Sequence, residues 1–179
     1  MVQIELLPPE NPMRTTSNPR IIIPVSPLER ILDAAGAAFV LATFLLPAFT
    51  YRSLPSVIPR HFGITGKPDA WGGPNLLFIL PVVSLVLYAS LTVMRRYPRL
   101  FNYPVRITEE NAGRQYRLAR KLISVLKTVI TALFAWIEYR TIQTALGKSE
   151  GLGMVFLPVC LALIIGAIAV YFVEAFRSR

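Results

Sequence analysis

Few residues in this chain have side chains able to do chemistry, and most of them fall in two places. His61 is the only histidine, and Asp69 follows it a short way along the chain. A histidine and a carboxylate can act as an acid–base pair or share a metal. Ser53 and Ser56 stand close by, but neither has the elbow or glycine-rich oxyanion setting of a serine nucleophile. A catalytic zinc needs about three protein ligands, and the single cysteine, Cys160, lies far off in an apolar run. The pattern points away from an enzyme and implies no cofactor and no metal site. A pH-sensing His61 stays open, because histidine titrates in the physiological range.

The second group is Lys127, Glu138 and Arg140, which interrupt an otherwise apolar stretch. Charges at membrane depth are costly and often functional. Glu138 and Arg140 fall near one end of that stretch, where they can snorkel or pair with Arg52, Arg60 or Asp69. Lys127 falls near the other end, within reach of Asp33 or Glu174. Structural pairs at the two membrane faces are favoured over a transport path, because inverted repeats and broken helices are not evident.

The composition says what must position these groups. The chain is 54% hydrophobic and only 16% charged, with mean hydropathy +0.51, against about 25% charged in a soluble domain. That is a membrane composition. The net charge of +9 sits beside apolar runs, so the partner it implies is an anionic lipid surface rather than nucleic acid. The fold expected is an all-α membrane protein with four transmembrane helices, about 27–51, 74–94, 108–146 and 152–176. Residues 27–179 form this membrane domain. A proline-rich cytoplasmic segment, 1–26, precedes it, with residues 1–20 extended or disordered, since closely spaced prolines block helix propagation.

Two helix starts are well signalled. Ser26-Pro27-Leu28-Glu29 offers a cap, a proline at the first position and an acid in the first turn. Thr108-Glu109-Glu110 offers the third helix a cap and two acids in the first turn. On that helix Ser124, Lys127, Thr128, Thr131, Ala135, Glu138 and either Thr141 or Ile142 share one face, which should meet other helices. Ala162 and Gly166 give the fourth helix a small-residue face. Thirteen of the lysines and arginines fall on the side of the termini and the 95–121 connector, against four (Arg52, Arg60, Lys67, Lys148) on the other. The positive-inside rule then makes both termini cytoplasmic and the loop between helices 1 and 2 extracytoplasmic.

That loop, Leu54 to Gly73, is small, ordered and unusual. Pro55 and Pro59 stiffen an extended segment. Gly63 and Gly66 allow a tight turn over Phe62 to Lys67 joining two short strands. Pro68-Asp69 initiates a turn, with Asp69 able to accept backbone N–H bonds. Trp71, beside Gly72, suits the membrane interface. These residues describe a rigid cap on the bundle, and such a cap is also a recognition surface.

Leu54-Pro55, Ile58-Pro59, His61-Phe62-Gly63, Gly66, Pro68-Asp69 and Trp71-Gly72 resemble the signature of the bacterial membrane domain-of-unknown-function family 1648. The connector residues Phe101-Asn102-Tyr103-Pro104, Thr108 to Asn111 and Arg114-Gln115-Tyr116 resemble its short stand-alone members. The resemblance spans about residues 30–175. The same domain forms the N-terminal membrane part of SdpI-type immunity proteins, which protect a cell from a secreted peptide toxin but carry further helices. It implies no catalytic residues. The expected function is a non-enzymatic, multi-pass protein of the bacterial inner membrane whose outer loop, 54–73, binds a partner. Toxin immunity or envelope sensing is the expected setting. A secreted peptide or another membrane protein is the expected partner, besides the bilayer. The alternatives are a structural accessory subunit of a larger membrane complex, or a proton-coupled carrier or membrane enzyme.

Overall fold

A computed structural model describes residues 18–179. The proline-rich segment expected over 1–26 therefore falls largely outside the described residues. Four helices are long and apolar enough to cross a membrane. The spans are Pro27–Ser53, Pro74–Met94, Glu109–Ala145 and Phe156–Arg177, and their α-helical parts are α1 (Pro27–Thr50), α2 (Ile79–Met94), α3 (Glu109–Ala145) and α4 (Phe156–Arg177). Between α1 and α2 the chain makes two strands, β1 (Ile58–Phe62) and β2 (Pro68–Gly72), paired antiparallel. Four helices long and apolar enough to span are thus present as expected. The fold is mostly rather than all helical, because the loop between the first two contains the two short strands and turn read from its sequence. Its prolines and aromatics favour extended backbone, and its turn closes by Gly63 N donating to Lys67 O at 2.9 Å.

The helix starts follow the local chemistry. Ser26 Oγ accepts from Glu29 N at 3.2 Å, and Ser26 N donates to Glu29 Oε2 at 2.7 Å, a reciprocal capping box. Thr108 and Asn111 form the same arrangement at α3. The first helix runs from Pro27 to Thr50, close to the expected 27–51, with Pro47 inside its last turn, before a turn of 3₁₀-helix, Tyr51–Ser53. A 3₁₀ segment, Pro74–Phe78, likewise leads into α2. The fourth helix begins at Phe156 rather than Leu152, because Gly151 and Gly153 take positive φ values of 140° and 88°.

The third helix is the axis of the bundle. At 37 residues it is about 55 Å long, well beyond the roughly 30 Å hydrocarbon layer. Its first turns therefore stand outside the apolar zone. It packs on α1, α2 and α4. Asp33 meets Lys127 and Leu46 lies by Ile142, so α1 runs parallel to it. Thr92 meets Lys127 and Arg95 meets Ser124, so α2 runs antiparallel. Gln115 Nε2 donates to Ala175 O at 2.9 Å and to Ser178 O at 3.1 Å. Those bonds satisfy orphan carbonyls at the end of α4.

The face of α3 read from the sequence is the buried one. Ser124, Lys127, Thr131, Ala135, Glu138, Thr141 and Ile142 are all buried there. Its hydroxyls bond back to their own helix: Ser124 to Arg120 O, Thr131 to Lys127 O and Thr141 to Ile137 O. Back-bonding of this kind lets hydroxyls sit in an apolar interior without other partners. The small face of α4 is a different matter. Gly166 has nothing within 4 Å of where a Cβ would stand, so within this chain it makes no close helix contact.

Candidate functional site

The charged groups sort into two sets at opposite ends of the bundle. At the end holding the 95–121 connector, Asp33 is the hub. Arg95 grips it with two bonds, Nη1 to Oδ1 at 2.8 Å and Nη2 to Oδ2 at 2.7 Å. Lys127 Nζ donates to the same Oδ1 at 2.6 Å and to Thr92 Oγ1 at 2.9 Å. The ammonium also sits 4.4 Å from the centroid of the Tyr88 ring, a cation–π contact. The Lys127 side chain has 0% exposure, so every bond it makes is to protein. Nearby, Arg120 pairs with Glu29 at 3.0 Å and donates to Ile23 O. Glu29 thus caps α1 and holds α3 with one carboxylate. These pairs tie α1, α2 and α3 together where their apolar spans end.

Of the two partners expected for Lys127, the structure selects Asp33 and not Glu174. Arg95 and Arg120 went unread as interior residues, because a run of arginines beside a membrane span reads first as lipid contact. A signal existed. Tyr88, Thr92 and Arg95 recur at helical spacing on α2, and Glu29 and Asp33 stand one turn apart on α1, opposite Arg120 and Lys127 on α3.

At the hairpin end the expected pairs do not form. Arg140 stacks near Trp136, 5.9 Å from its centroid, and its guanidinium donates to the Gly151 carbonyl, with Nε at 2.8 Å. It pins the α3–α4 loop instead of pairing with a carboxylate. Asp69 does not receive backbone N–H groups ahead of α2; its Oδ1 lies 2.6 Å from His61 Nδ1. That pair is open to solvent, with side-chain exposures of 67% and 51%. An exposed pair contributes about 0–1 kcal/mol. His61→Ala is accordingly expected to move the thermal midpoint of the purified protein by no more than a degree or two. A loss several times larger would show that the pair holds the hairpin together.

The hairpin is instead held from below and from the side. Ile58, 1% exposed, packs with Leu77 and Ile142. Pro59 is buried beside it. The hairpin turn meets the α3–α4 loop backbone to backbone, with Leu152 N donating to Gly66 O at 2.8 Å. Gly66 has φ 75°, and a Cβ there would come 2.4 Å from Gly153 O. Gly66 therefore serves both the turn and the close approach. Trp71 is half exposed on β2.

Beneath β1 lies a cavity of about 380 Å³. Its lining includes Ile58, Pro59 and Phe62 from the hairpin side, Leu80 of α2, and Glu138 and Thr141 of α3. Arg60 borders it as well. Glu138 is 1% exposed, and its Oε1 has no hydrogen-bond partner among the described residues. An ionised carboxylate so placed is expensive unless something pairs with it. His61 is not part of the lining. The structure thus separates the residues singled out in the sequence. Glu138 joins Pro59 and Phe62 around a cavity, His61 and Asp69 pair outside it, Lys127 belongs to the opposite end, and Arg140 is a loop clasp. Pro55, Gly63, Pro68 and Gly72 shape the hairpin without lining the cavity.

Residues 38–85 match the family model described as "Domain of unknown function (DUF1648)". The chain carries a DUF1648 domain. The matched segment runs from mid-α1 through the hairpin into α2. It therefore contains the roof and one wall of the cavity, while Glu138 comes from the helix outside it. It also ends short of the connector pattern at 101–116. An "Uncharacterized protein" from Archaeoglobus fulgidus is 28% identical over 143 residues, covering 72% of this chain and 77% of that protein. No solved structure matches the chain.

Proposed function

We propose that this DUF1648 protein is a non-enzymatic, multi-pass protein of the cytoplasmic membrane that binds a partner at its hairpin end. By the positive-inside count the termini are cytoplasmic and the hairpin faces outward. One observation carries the binding reading: the unpartnered Glu138 carboxyl beside a cavity roofed by a hairpin that is fixed in place. Because Ile58 and Gly66 anchor that hairpin, little ordering cost attaches to binding there. His61 and Asp69 lie outside the cavity and pair with each other at its exterior. Resemblance of the hairpin to SdpI-type proteins makes peptide-toxin immunity or envelope sensing the proposed setting.

Two measurements test this reading. Ile64, 81% exposed at the turn, is changed to cysteine in a Cys160→Ser background and labelled on intact cells with an impermeant thiol reagent. Labelling from outside is the expected result, and protection until lysis reverses the orientation. In the second, a deletion strain challenged with secreted peptides and envelope stresses is complemented with wild type, Glu138→Gln or Arg60→Ala. Both variants should restore less than a tenth of the protection at equal protein level. Full complementation by both refutes the binding reading.

A second reading, a structural accessory subunit, draws on the exposed Ala162 and Gly166 of α4; among the described residues nothing lies within 4 Å of where a Gly166 Cβ would stand. Purification in mild detergent followed by mass spectrometry separates the two, since a solitary chain counts against the accessory role.

A further inference from the structure

Resting on that reading of the cavity, we propose that its ligand is the head group of an amine-bearing phospholipid, with the ammonium on Glu138 and the phosphate on Arg60. The carboxyl at the floor is buried without a partner for its Oε1 among the described residues, and an incoming ammonium would stabilise its ionised form. The nearby cation of its own helix is committed elsewhere, since Arg140 holds the Gly151 carbonyl. Lys127 is about three turns away and bound to Asp33. Arg60 differs from Glu138 in one respect that gives the cavity a direction: it is exposed, so it stands at the mouth. No ion pair to Arg60 occurs among the described residues.

The mouth opens beside apolar surface. Ile79 borders the cavity and is 57% exposed. From there Val82, Val83 and Val86 continue an exposed apolar flank along α2. From floor to flank the order is anion, cation, hydrocarbon-facing surface. A phospholipid with a primary amine presents the complementary order, ammonium, phosphate and acyl chains. A guanidinium suits phosphate through its fork of donors, and a primary ammonium can donate hydrogen bonds to a carboxylate. A quaternary ammonium cannot donate, and a glycerol head group brings no cation. The cavity should therefore distinguish these three head groups.

The full-length protein is reconstituted in an equimolar mixture of phosphatidylethanolamine, phosphatidylcholine and phosphatidylglycerol, and retained lipid is read by native mass spectrometry. Wild type is expected to keep phosphatidylethanolamine at least tenfold over the other two. Glu138→Gln should bring the three to parity, and Arg60→Ala should weaken retention of all of them. No preference in the wild type overturns the inference, whether or not the variants fold. A separate arm tests the cavity itself: Thr141→Cys in the Cys160→Ser background is exposed to a methanethiosulfonate ethylammonium reagent. Failure to label removes the cavity as a ligand site. Labelling without a lipid preference removes only the lipid. Labelling blocked by a soluble lysine-rich peptide, again without lipid preference, transfers the site to peptide side chains.

Discussion

Asp33→Asn is expected to destabilise the protein by about 2–3 kcal/mol, below the roughly 3–5 kcal/mol for breaking a fully buried pair, because the two cations are buried while Asp33 itself keeps 26% exposure. The physical reason is specific to this cluster. Arg95 and Lys127 share a single carboxylate, so the change leaves two cations facing each other with no anion between them. Lys127 has no exposure through which water could compensate. The damage should therefore depend on Lys127: Asp33→Asn combined with Lys127→Met should recover a substantial part of the loss. Thermal unfolding of the single and double variants in detergent gives the coupling energy directly. A single-variant loss under about 1 kcal/mol, or losses that simply add, would show that the cluster does not hold the helices together.

Gly66→Ala and Gly151→Ala should each undock the hairpin from the α3–α4 loop. A Cβ on Gly151 would stand 2.2 Å from Gly66 O, and one on Gly66 would stand 2.4 Å from Gly153 O. In both cases the obstacle is backbone, which cannot swing aside as a side chain can. Positive φ adds strain of about 1–3 kcal/mol for a non-glycine residue. Gly73→Ala is the control, with nothing within 4 Å of its added methyl. Limited proteolysis at Lys67 and Lys148 reads the result. Both variants should be cut many times faster than wild type, and Gly73→Ala should match it. Equal resistance in all four proteins would mean that the contact between the loops carries no stability.

What could be read ahead of the structure follows from range. The helices, their caps at Ser26 and Thr108, and the buried face of α3 depend on spacings of a few residues, which the chain displays directly. The turn from Phe62 to Lys67 was legible for the same reason. Partner choice was not. That Arg95 turns inward to Asp33, or that Gly66 abuts Gly151 and Gly153, depends on contacts across 60 or more residues. The cavity could not be anticipated either, because its roof, wall and floor come from three separate stretches. Glu138 was visible as an oddity. Only the packing shows that its Oε1 lacks a partner among the described residues while Lys127, another buried charge on the same face, has several.

The Asp33 cluster also bears on how the chain is made. Synthesis delivers α1 and α2 before α3, so both Asp33 and Arg95 precede Lys127 into the bilayer. A lone lysine costs about 2.5–3.5 kcal/mol to insert at the centre of a membrane helix and less near the end of the apolar span, where Lys127 stands. Arg95 in turn enters with Asp33 already made, and Lys127 arrives where a carboxylate, the Thr92 hydroxyl and the Tyr88 ring can receive it. Chain order thus supplies each cation with its anion in advance, and insertion of the third helix becomes a template-directed step rather than an independent one.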